Sequence, residues 1–169
     1  MFTRALLLAA TALAVAACTP EASDTTAAAR DTAADEAKLR ADAPVWFDLY
    51  NRGDAAGVAN LYAEDGVILA PGTPAVVGRE AIRNFVNNDI AATKAGGFVM
   101  SSGEITGVGV EGDLAWVTGT FSVADSAGAT VDTGKYLSLY RRINAEWKLI
   151  RDIWNLDSPP ENPAAPPAG

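Results

Sequence analysis

The stretch from Asn51 to Phe85 constrains the fold more than any other part of the chain. It begins with the end of a helix and continues with a short helix that Asp54 can cap, a strand, a loop rich in Pro and Gly, and an amphipathic helix. Beyond Gly97, apolar residues recur with a period of two, which is typical of consecutive strands. Helices followed by long strands predict an α+β domain, in which three N-terminal helices pack on a curved antiparallel sheet. This order of elements is expected to enclose a small, cone-shaped pocket.

The spacing of apolar residues predicts the approximate bounds of these elements. Helices are expected over about 33–52, with a kink or a new segment at Pro44, over 55–63 and over 79–94. A short strand over 67–70 precedes the last of them, and the later strands are predicted near 98–109, 113–124, 129–143 and 146–156. Both faces of the last two strands carry apolar or aromatic residues. Because the helices can cover only one face, we expect a second subunit to cover the other, which predicts a homodimer.

The N-terminal segment indicates where the domain is displayed. Residues 1–17 contain a basic residue, an apolar run too short for the ~20 residues that span a bilayer, and small residues before the only cysteine. Because Val15-Ala16-Ala17-Cys18 matches a lipobox, the segment resembles a bacterial lipoprotein signal peptide. That resemblance implies cleavage before Cys18, its acylation, and an anchored location in the cell envelope, at the periplasmic face of the outer membrane. The alternative is an ordinary signal followed by a core cysteine, although Cys18 lies outside any predicted core element.

Composition divides the rest of the chain into three parts. Residues 18–32 are rich in Ala, Thr, Asp and Glu without apolar periodicity, which predicts a disordered tether. Residues 33–157 form a single domain, and the Pro-rich residues 158–169 are predicted to be a disordered tail.

Charge and residue usage exclude several classes of function. The formal net charge is −8 and no basic run is present, so neither nucleic acid nor anionic headgroups are expected partners. The chain contains no histidine, which excludes His-dependent triads and removes the usual zinc ligand. No calcium-loop spacing is found either, so we expect neither a metal nor a cofactor. Any chemistry must depend on carboxylates, Lys, Tyr or backbone groups.

Four sequence segments together resemble a known superfamily. NRGDAAGVANLYAEDGVILAP, VVGREAIRNF, GKYLSLYRR and EWKLIRDIWN are similar to the nuclear transport factor 2-like superfamily, and within it to the SnoaL-like and ketosteroid isomerase-like branch. The resemblance implies a cone of three helices against a curved sheet, with a pocket at the wide end, often in a homodimer. The isomerase acid and tyrosine positions fall on Ala70, Leu137 and Trp46, so steroid isomerase chemistry is not expected. SnoaL-like cyclases also use a pocket acid, for which Asp152 is the best candidate here.

Asp152 occupies the middle of a predicted strand, where a carboxylate is unusual. Alternation puts it on the pocket face with Lys148, Ile150 and Trp154, and pairing about the turn at 144–145 puts it opposite Leu137 and diagonal to Lys135. The Lys135–Asp152 pair is then either an ion pair that fixes strand register or an acid/base couple for proton transfer. With the opposite alternation, Arg151 would face inward and favour an anionic ligand.

Other polar and aromatic side chains are candidates for the pocket mouth, although aromatic residues at such spacings also serve as core. The predicted ligand-binding residues are Trp46, Tyr50, Trp116, Thr118, Trp154 and Asn155. The sequence thus predicts an envelope domain that binds a small, partly apolar ligand in an acid-containing pocket. The alternatives are a proton-transfer enzyme of the isomerase, cyclase or dehydratase type that uses Asp152, and a non-catalytic dimeric scaffold.

Overall fold

The computed structural model describes residues 32–159, which contain four helices and a six-stranded sheet. The helices are α1 (Thr32–Asp42), α2 (Val45–Arg52), α3 (Ala55–Asn60) and α4 (Arg79–Ala95). The strands are β1 (Tyr62–Leu69), β2 (Val76–Val77), β3 (Val99–Glu111), β4 (Leu114–Ala124), β5 (Thr130–Ile143) and β6 (Glu146–Leu156). The signal peptide, Cys18 and nearly all of the tether and tail lie outside the described residues, so their assignments stay predictions. Within residues 32–159 no helix is long and apolar enough to cross a membrane.

The helical layer follows local signals in the sequence. Pro44 separates α1 from α2, as expected from its missing N–H. Gly53 ends α2 in the left-handed region, with φ of 83°, and the Asp54 carboxylate then caps α3 by accepting a hydrogen bond from the Gly57 N–H at 2.7 Å. The last of the three short helices ends earlier than predicted, at Asn60. Tyr62 therefore begins β1 instead of belonging to a helix.

The sheet has the strand order β2-β1-β6-β5-β4-β3. Strands β3 to β6 form the expected antiparallel meander, and the prediction of an α+β fold with helices packed on one sheet face is confirmed. One pairing differs from the all-antiparallel expectation, since β1 lies parallel to β6. The chain passes through α4 between β2 and β3, so the helices do not all precede the strands.

A β-bulge in β6 sets the register at the site. Leu139 pairs with Arg151, whereas the next residue, Tyr140, pairs with Leu149, which leaves Ile150 as an extra residue. Because of this insertion, Leu149 and Asp152 both point to the helix-covered face although they are three positions apart. The prediction that Lys148 and Ile150 share the pocket face with Asp152 is therefore wrong, because the alternation changes at the bulge. Asp152 lies opposite Ser138, not opposite Leu137 as predicted.

Two apolar clusters fill the space between the helices and this inner sheet face. The first joins α2, α3 and α4 to β1 and β6, and the second places Leu39 of α1 against Val117 and Trp147. The start of α1 is also held by an ion pair between Asp35 and Arg142, whose guanidinium lies 4.1 Å from the centre of the Trp147 ring. The members of the first cluster are Tyr50, Ala55, Val58, Ala59, Tyr62, Ile68, Ile82, Val86, Ile90 and Leu149.

Candidate functional site

A cavity of about 70 Å³ lies between α2 and the inner face of the sheet. Helix α4 contributes one described residue to its wall, and the others come from the link between α1 and α2, from the start of α2 and from β3 to β6. The lining residues are Ala43, Trp46, Phe47, Asp89, Met100, Phe121, Tyr136, Ser138, Tyr140, Leu149, Asp152 and Trp154.

Within residues 32–159, Asp152 is the only buried charged residue, with 7% of its surface exposed. Tyr62 donates a hydrogen bond to Asp152 Oδ2 at 2.6 Å, and Ser138 donates one to Oδ1 at 2.7 Å. The indole N–H of Trp46 donates in turn to the Tyr62 hydroxyl oxygen at 3.1 Å. Burial raises the pKa of Asp152 above its ordinary value of 3.8, while the two hydroxyl donors act in the opposite direction.

Aromatic rings supply half of the described residues in the cavity wall. Trp46 stacks on Tyr50 with ring centres 5.0 Å apart, and Phe47 lies within 6.3 Å of both Phe121 and Tyr136. These ring contacts pack the start of α2 against β4 and β5. The Tyr50 hydroxyl donates to Asp89 at 2.5 Å, which connects α2 to α4.

Two further tyrosines on β5 face the same cavity. Burial, with a smaller contribution from the charge of Asp152, raises the pKa of Tyr136 to about 12 and raises that of Tyr140 further. The buried hydroxyl of Tyr136 has no hydrogen-bond partner among the described residues. Both tyrosines are therefore neutral at physiological pH, and the Tyr136 hydroxyl is available to a ligand or a water molecule.

The structure contradicts both interpretations of a Lys135–Asp152 couple. Lys135 pairs with Asn155 in the register and points to the outer face, where its ammonium group lies 2.6 Å from Asp157. Alternation explains the error, since Lys135 and Ser138 have opposite parity on β5 and Ser138 is the residue that faces Asp152. Arg151 is exposed, so the alternative of an inward arginine is wrong as well.

The predicted ligand-binding residues divide between the two faces of the sheet. Trp46 and Trp154 line the cavity, and Tyr50 lies in the core behind Trp46, where it is 2% exposed. Trp116, Thr118 and Asn155 project to the outer face, which contradicts their assignment to this pocket. Trp116 is 42% exposed there, and Thr118 and Asn155 line a shallow outer groove beside Lys135.

Sequence reasoning missed the two direct partners of Asp152. The sequence predicts a helix for Tyr62 and puts Leu137 instead of Ser138 opposite Asp152, because a one-residue bulge leaves no clear sequence signal. A signal did exist in the segment Tyr136-Leu137-Ser138-Leu139-Tyr140, where aromatic and hydroxyl residues alternate with leucines. That alternation marks the face that contacts the carboxylate.

The described residues offer no site for a metal ion. No group of three or more His, Cys, Asp or Glu side chains comes together within residues 32–159. The described groups that line the cavity beside Asp152 are hydroxyl, carboxyl and aromatic groups, together with the apolar side chains of Ala43, Met100 and Leu149.

Comparison with known families identifies the domain. The model of the SnoaL-like domain matches residues 45–150, so the chain belongs to the SnoaL-like domain family. The match covers α2 to the bulge in β6 and includes Trp46, Tyr62 and Ser138, whereas Asp152 follows two residues beyond it. None of the curated proteins matches this chain.

Solved structures support the same fold. A nuclear transport factor 2-like protein with a cystatin-like fold from Novosphingobium aromaticivorans is 26% identical over 73% of this chain and 81% of its own, with a TM-score of 0.62. A ketosteroid isomerase-like protein from Erwinia carotovora atroseptica is 22% identical over 74% of this chain and 98% of its own, with a TM-score of 0.56. A proposed dehydratase of the same superfamily from Streptomyces avermitilis is 21% identical over 72% and 95%, with a TM-score of 0.60.

Proposed function

We propose that this chain binds a small, partly apolar molecule in the cavity beside Asp152. The observation that carries the proposal is a buried carboxylate at the wall of an aromatic cavity. Each of its oxygens accepts one hydrogen bond from the protein, from Tyr62 or from Ser138, and a carboxylate oxygen can accept a second. Asp152 is thus held in place by its neighbours and still has bonding capacity for a ligand.

The size of the cavity restricts what can enter. Its volume of about 70 Å³ is smaller than the roughly 150 Å³ that admits benzene in an engineered protein cavity. We infer that only a head group of a few heavy atoms reaches Asp152, and that the remainder of a larger ligand lies in the aromatic mouth.

A titration of tryptophan fluorescence with small apolar alcohols, ketones and amines tests this proposal. Binding is expected to change the emission of Trp46 and Trp154 and to weaken at least several-fold in Asp152→Asn, which keeps the side-chain volume. Lys135→Gln, on the outer face, is the control and should bind as the wild type does. Equal responses in all three proteins would contradict the assignment of the cavity as the ligand site.

A proton-transfer enzyme is the second candidate function. The raised pKa of Asp152 and the hydrogen-bond chain from Trp46 through Tyr62 suit a buried group that takes up and releases a proton. The structures of the isomerase-like protein and the proposed dehydratase share the fold with this chain, and their chemistry suggests isomerisation, cyclisation or dehydration as reactions to test. Turnover of enones or β-hydroxy ketones that disappears in Asp152→Asn would support catalysis. Binding without turnover would leave the chain a binding protein.

We also propose that the domain is displayed from a lipid anchor in the bacterial envelope. The support is the lipobox at Val15-Ala16-Ala17-Cys18 and the short segment between Cys18 and the start of α1 at Thr32. Metabolic labelling with an alkyne fatty acid should label the wild type and the control Thr19→Ser. Labelling that persists in Cys18→Ser would contradict this anchor.

A homodimer through the outer sheet face is the partner arrangement that we propose. Three large apolar side chains on that face, Leu137, Ile153 and Trp116, are each about 40% exposed. Exposure of so much apolar surface to water is unfavourable in an isolated subunit. Sedimentation equilibrium is expected to show a dimer, with Leu137→Glu shifting the protein to monomer. A wild type that stays monomeric at high concentration would contradict the proposal.

A further inference from the structure

Among the described residues, the charged side chains that line the cavity are both acidic. Asp152 lies in its wall and Asp89 of α4, an exposed residue, also lines it. None of the described residues that line it is a lysine or an arginine. A negatively charged head group would therefore approach two carboxylates without meeting a cation, so anionic ligands are disfavoured.

Asp152 itself has no charged partner within residues 32–159. Buried carboxylates in proteins are normally paired with a cation, because desolvation of the isolated charge is costly. Here the carboxylate has only the neutral hydroxyls of Tyr62 and Ser138. The nearby cation on β5, Lys135, is on the other face of the sheet and is paired with Asp157.

The rest of the wall suits a positive charge. Six of the described lining residues are aromatic, and the faces of such rings attract cations, most strongly for Trp. Two of the six are tryptophans, Trp46 and Trp154. Aromatic rings together with an unpaired carboxylate are the groups that proteins use to hold alkylammonium ions.

We propose that the head group bound beside Asp152 is a small organic ammonium ion. This inference rests on the proposed function, since it specifies the ligand class of the same cavity. The ammonium group supplies the charge that Asp152 lacks, and its alkyl substituents fill the space between the rings.

Three molecules of nearly identical shape test the charge preference directly. Choline, 3,3-dimethylbutan-1-ol and 3,3-dimethylbutanoate carry a positive, neutral and negative charge on similar branched skeletons. Calorimetric titration should show choline binding about tenfold more tightly than the alcohol, and no measurable binding of the carboxylate. Asp152→Asn should abolish the preference for choline, Asp89→Asn should reduce it less, and Glu111→Gln, a charge removal at a residue that does not line the cavity, should leave it unchanged.

The pH dependence gives a test that needs no variant. Choline does not titrate, so any change in its affinity reports on the protein. The titratable groups that face Asp152 are Tyr62 from β1 and Tyr136 and Tyr140 from β5, and Asp89 from α4 lines the same cavity. The tyrosines stay protonated because their pKa values are raised, so choline affinity should fall as acidification protonates Asp152, and the affinity of the alcohol should fall less.

The possible failures are distinguishable. If the alcohol binds as tightly as choline, or if Asp152→Asn keeps the preference, the inference is overturned and the proposed function stands. If the carboxylate binds best, the inference is overturned as well. If none of the three molecules nor any fragment changes the tryptophan emission, the proposed function itself fails. Should Asp152→Asn not fold, the Asp89→Asn variant and the pH profile of the wild type decide the matter.

Discussion

The two faces of the β5–β6 hairpin carry the same kinds of side chain in opposite surroundings. On the outer face, Asp157 is exposed, accepts a hydrogen bond from Thr133 and lies 2.6 Å from the Lys135 ammonium. On the inner face, Asp152 is buried, and its hydrogen-bond partners in the described part of the chain are two hydroxyl groups. Exposed ion pairs contribute little, because water solvates both partners, whereas a buried carboxylate without a cation is costly. The candidate site is therefore marked by Asp152, which has no cation beside it among the described residues, and not by the exposed Lys135–Asp157 ion pair.

The pKa directions express the same difference. Burial raises the pKa of Asp152, while the hydrogen bond and charge of Lys135 together with the Thr133 hydroxyl lower that of Asp157. The pKa values of two aspartates five residues apart are thus shifted in opposite directions, because Asp152 is buried and Asp157, just beyond β6, is exposed beside Lys135.

The largest expected contrast between the faces is in stability. Ile68 on β1 is fully buried in the core, whereas Ile153 on β6 is 44% exposed on the outer face. Ile68→Ala should lower the free energy of unfolding by about 2–5 kcal/mol, because it leaves a cavity. Ile153→Ala should lower it by less than about 1 kcal/mol in dilute protein, with a larger loss at concentrations where a dimer forms. Chemical denaturation measures the free energy of unfolding of both variants. Equal losses in dilute protein would contradict the assignment of Ile68 to the core and Ile153 to the outer face.

The next contrast concerns pH. The raised pKa of Asp152 stabilises the fold at pH values below the ordinary pKa of 3.8, and that contribution is lost as the pH rises through the folded-state pKa. Asp152→Asn should therefore gain stability relative to the wild type over this rise, by about 1.4 kcal/mol for each unit by which the pKa is raised. Asp157→Asn should show the opposite sign and a smaller effect, since the lowered pKa of Asp157 stabilises the fold above 3.8 and this contribution is lost on acidification.

Thermal melts of the three proteins between pH 3 and pH 7 measure these differences. Parallel stability profiles for the wild type and Asp152→Asn would show that the Asp152 carboxyl is not perturbed. A profile of Asp157→Asn that matches that of Asp152→Asn would remove the contrast between the faces.

The smallest expected contrast is between two tryptophans. Trp46→Phe keeps a ring in the cavity wall but removes the N–H that donates to Tyr62, so ligand affinity should fall a few-fold. Trp116→Phe changes a residue on the outer face and should leave ligand affinity unchanged. Fluorescence titration through the remaining tryptophans measures both, and a loss of affinity in Trp116→Phe alone would place the ligand on the outer face.

The sequence predicted the fold well because the fold depends on strong local signals. Pro44, Gly53 and Asp54 divide and cap the helices, and the period of two reveals the four long strands. The site was predicted only in part, since it depends on long-range register. The inward direction of Asp152 was expected, but the bulge at Ile150 changed which residue lies opposite, and the parallel pairing of β1 with β6 brought Tyr62 to the carboxylate.

Composition misled the prediction where both sheet faces look alike. Trp116, Thr118 and Asn155 are as aromatic or polar as the residues that line the cavity, and alternation alone does not tell which parity the helices cover. The predicted strand register puts Lys135 diagonal to Asp152, which suggests an ion pair between them. The actual partner of Lys135 is Asp157, which follows the end of β6.

Asp152 is a buried carboxyl group in the wall of an aromatic cavity, with no cation beside it among the described residues, and we propose that a ligand pairs with it there. Carbon-detected NMR titration of the Asp152 carboxyl, assigned by its absence from Asp152→Asn, tests this claim directly, with and without saturating choline. We expect the titration midpoint of the Asp152 carboxyl to lie above 3.8 in the free protein and to be lower when choline is bound. A midpoint at or below 3.8 that does not respond to choline or to any other small molecule would contradict it.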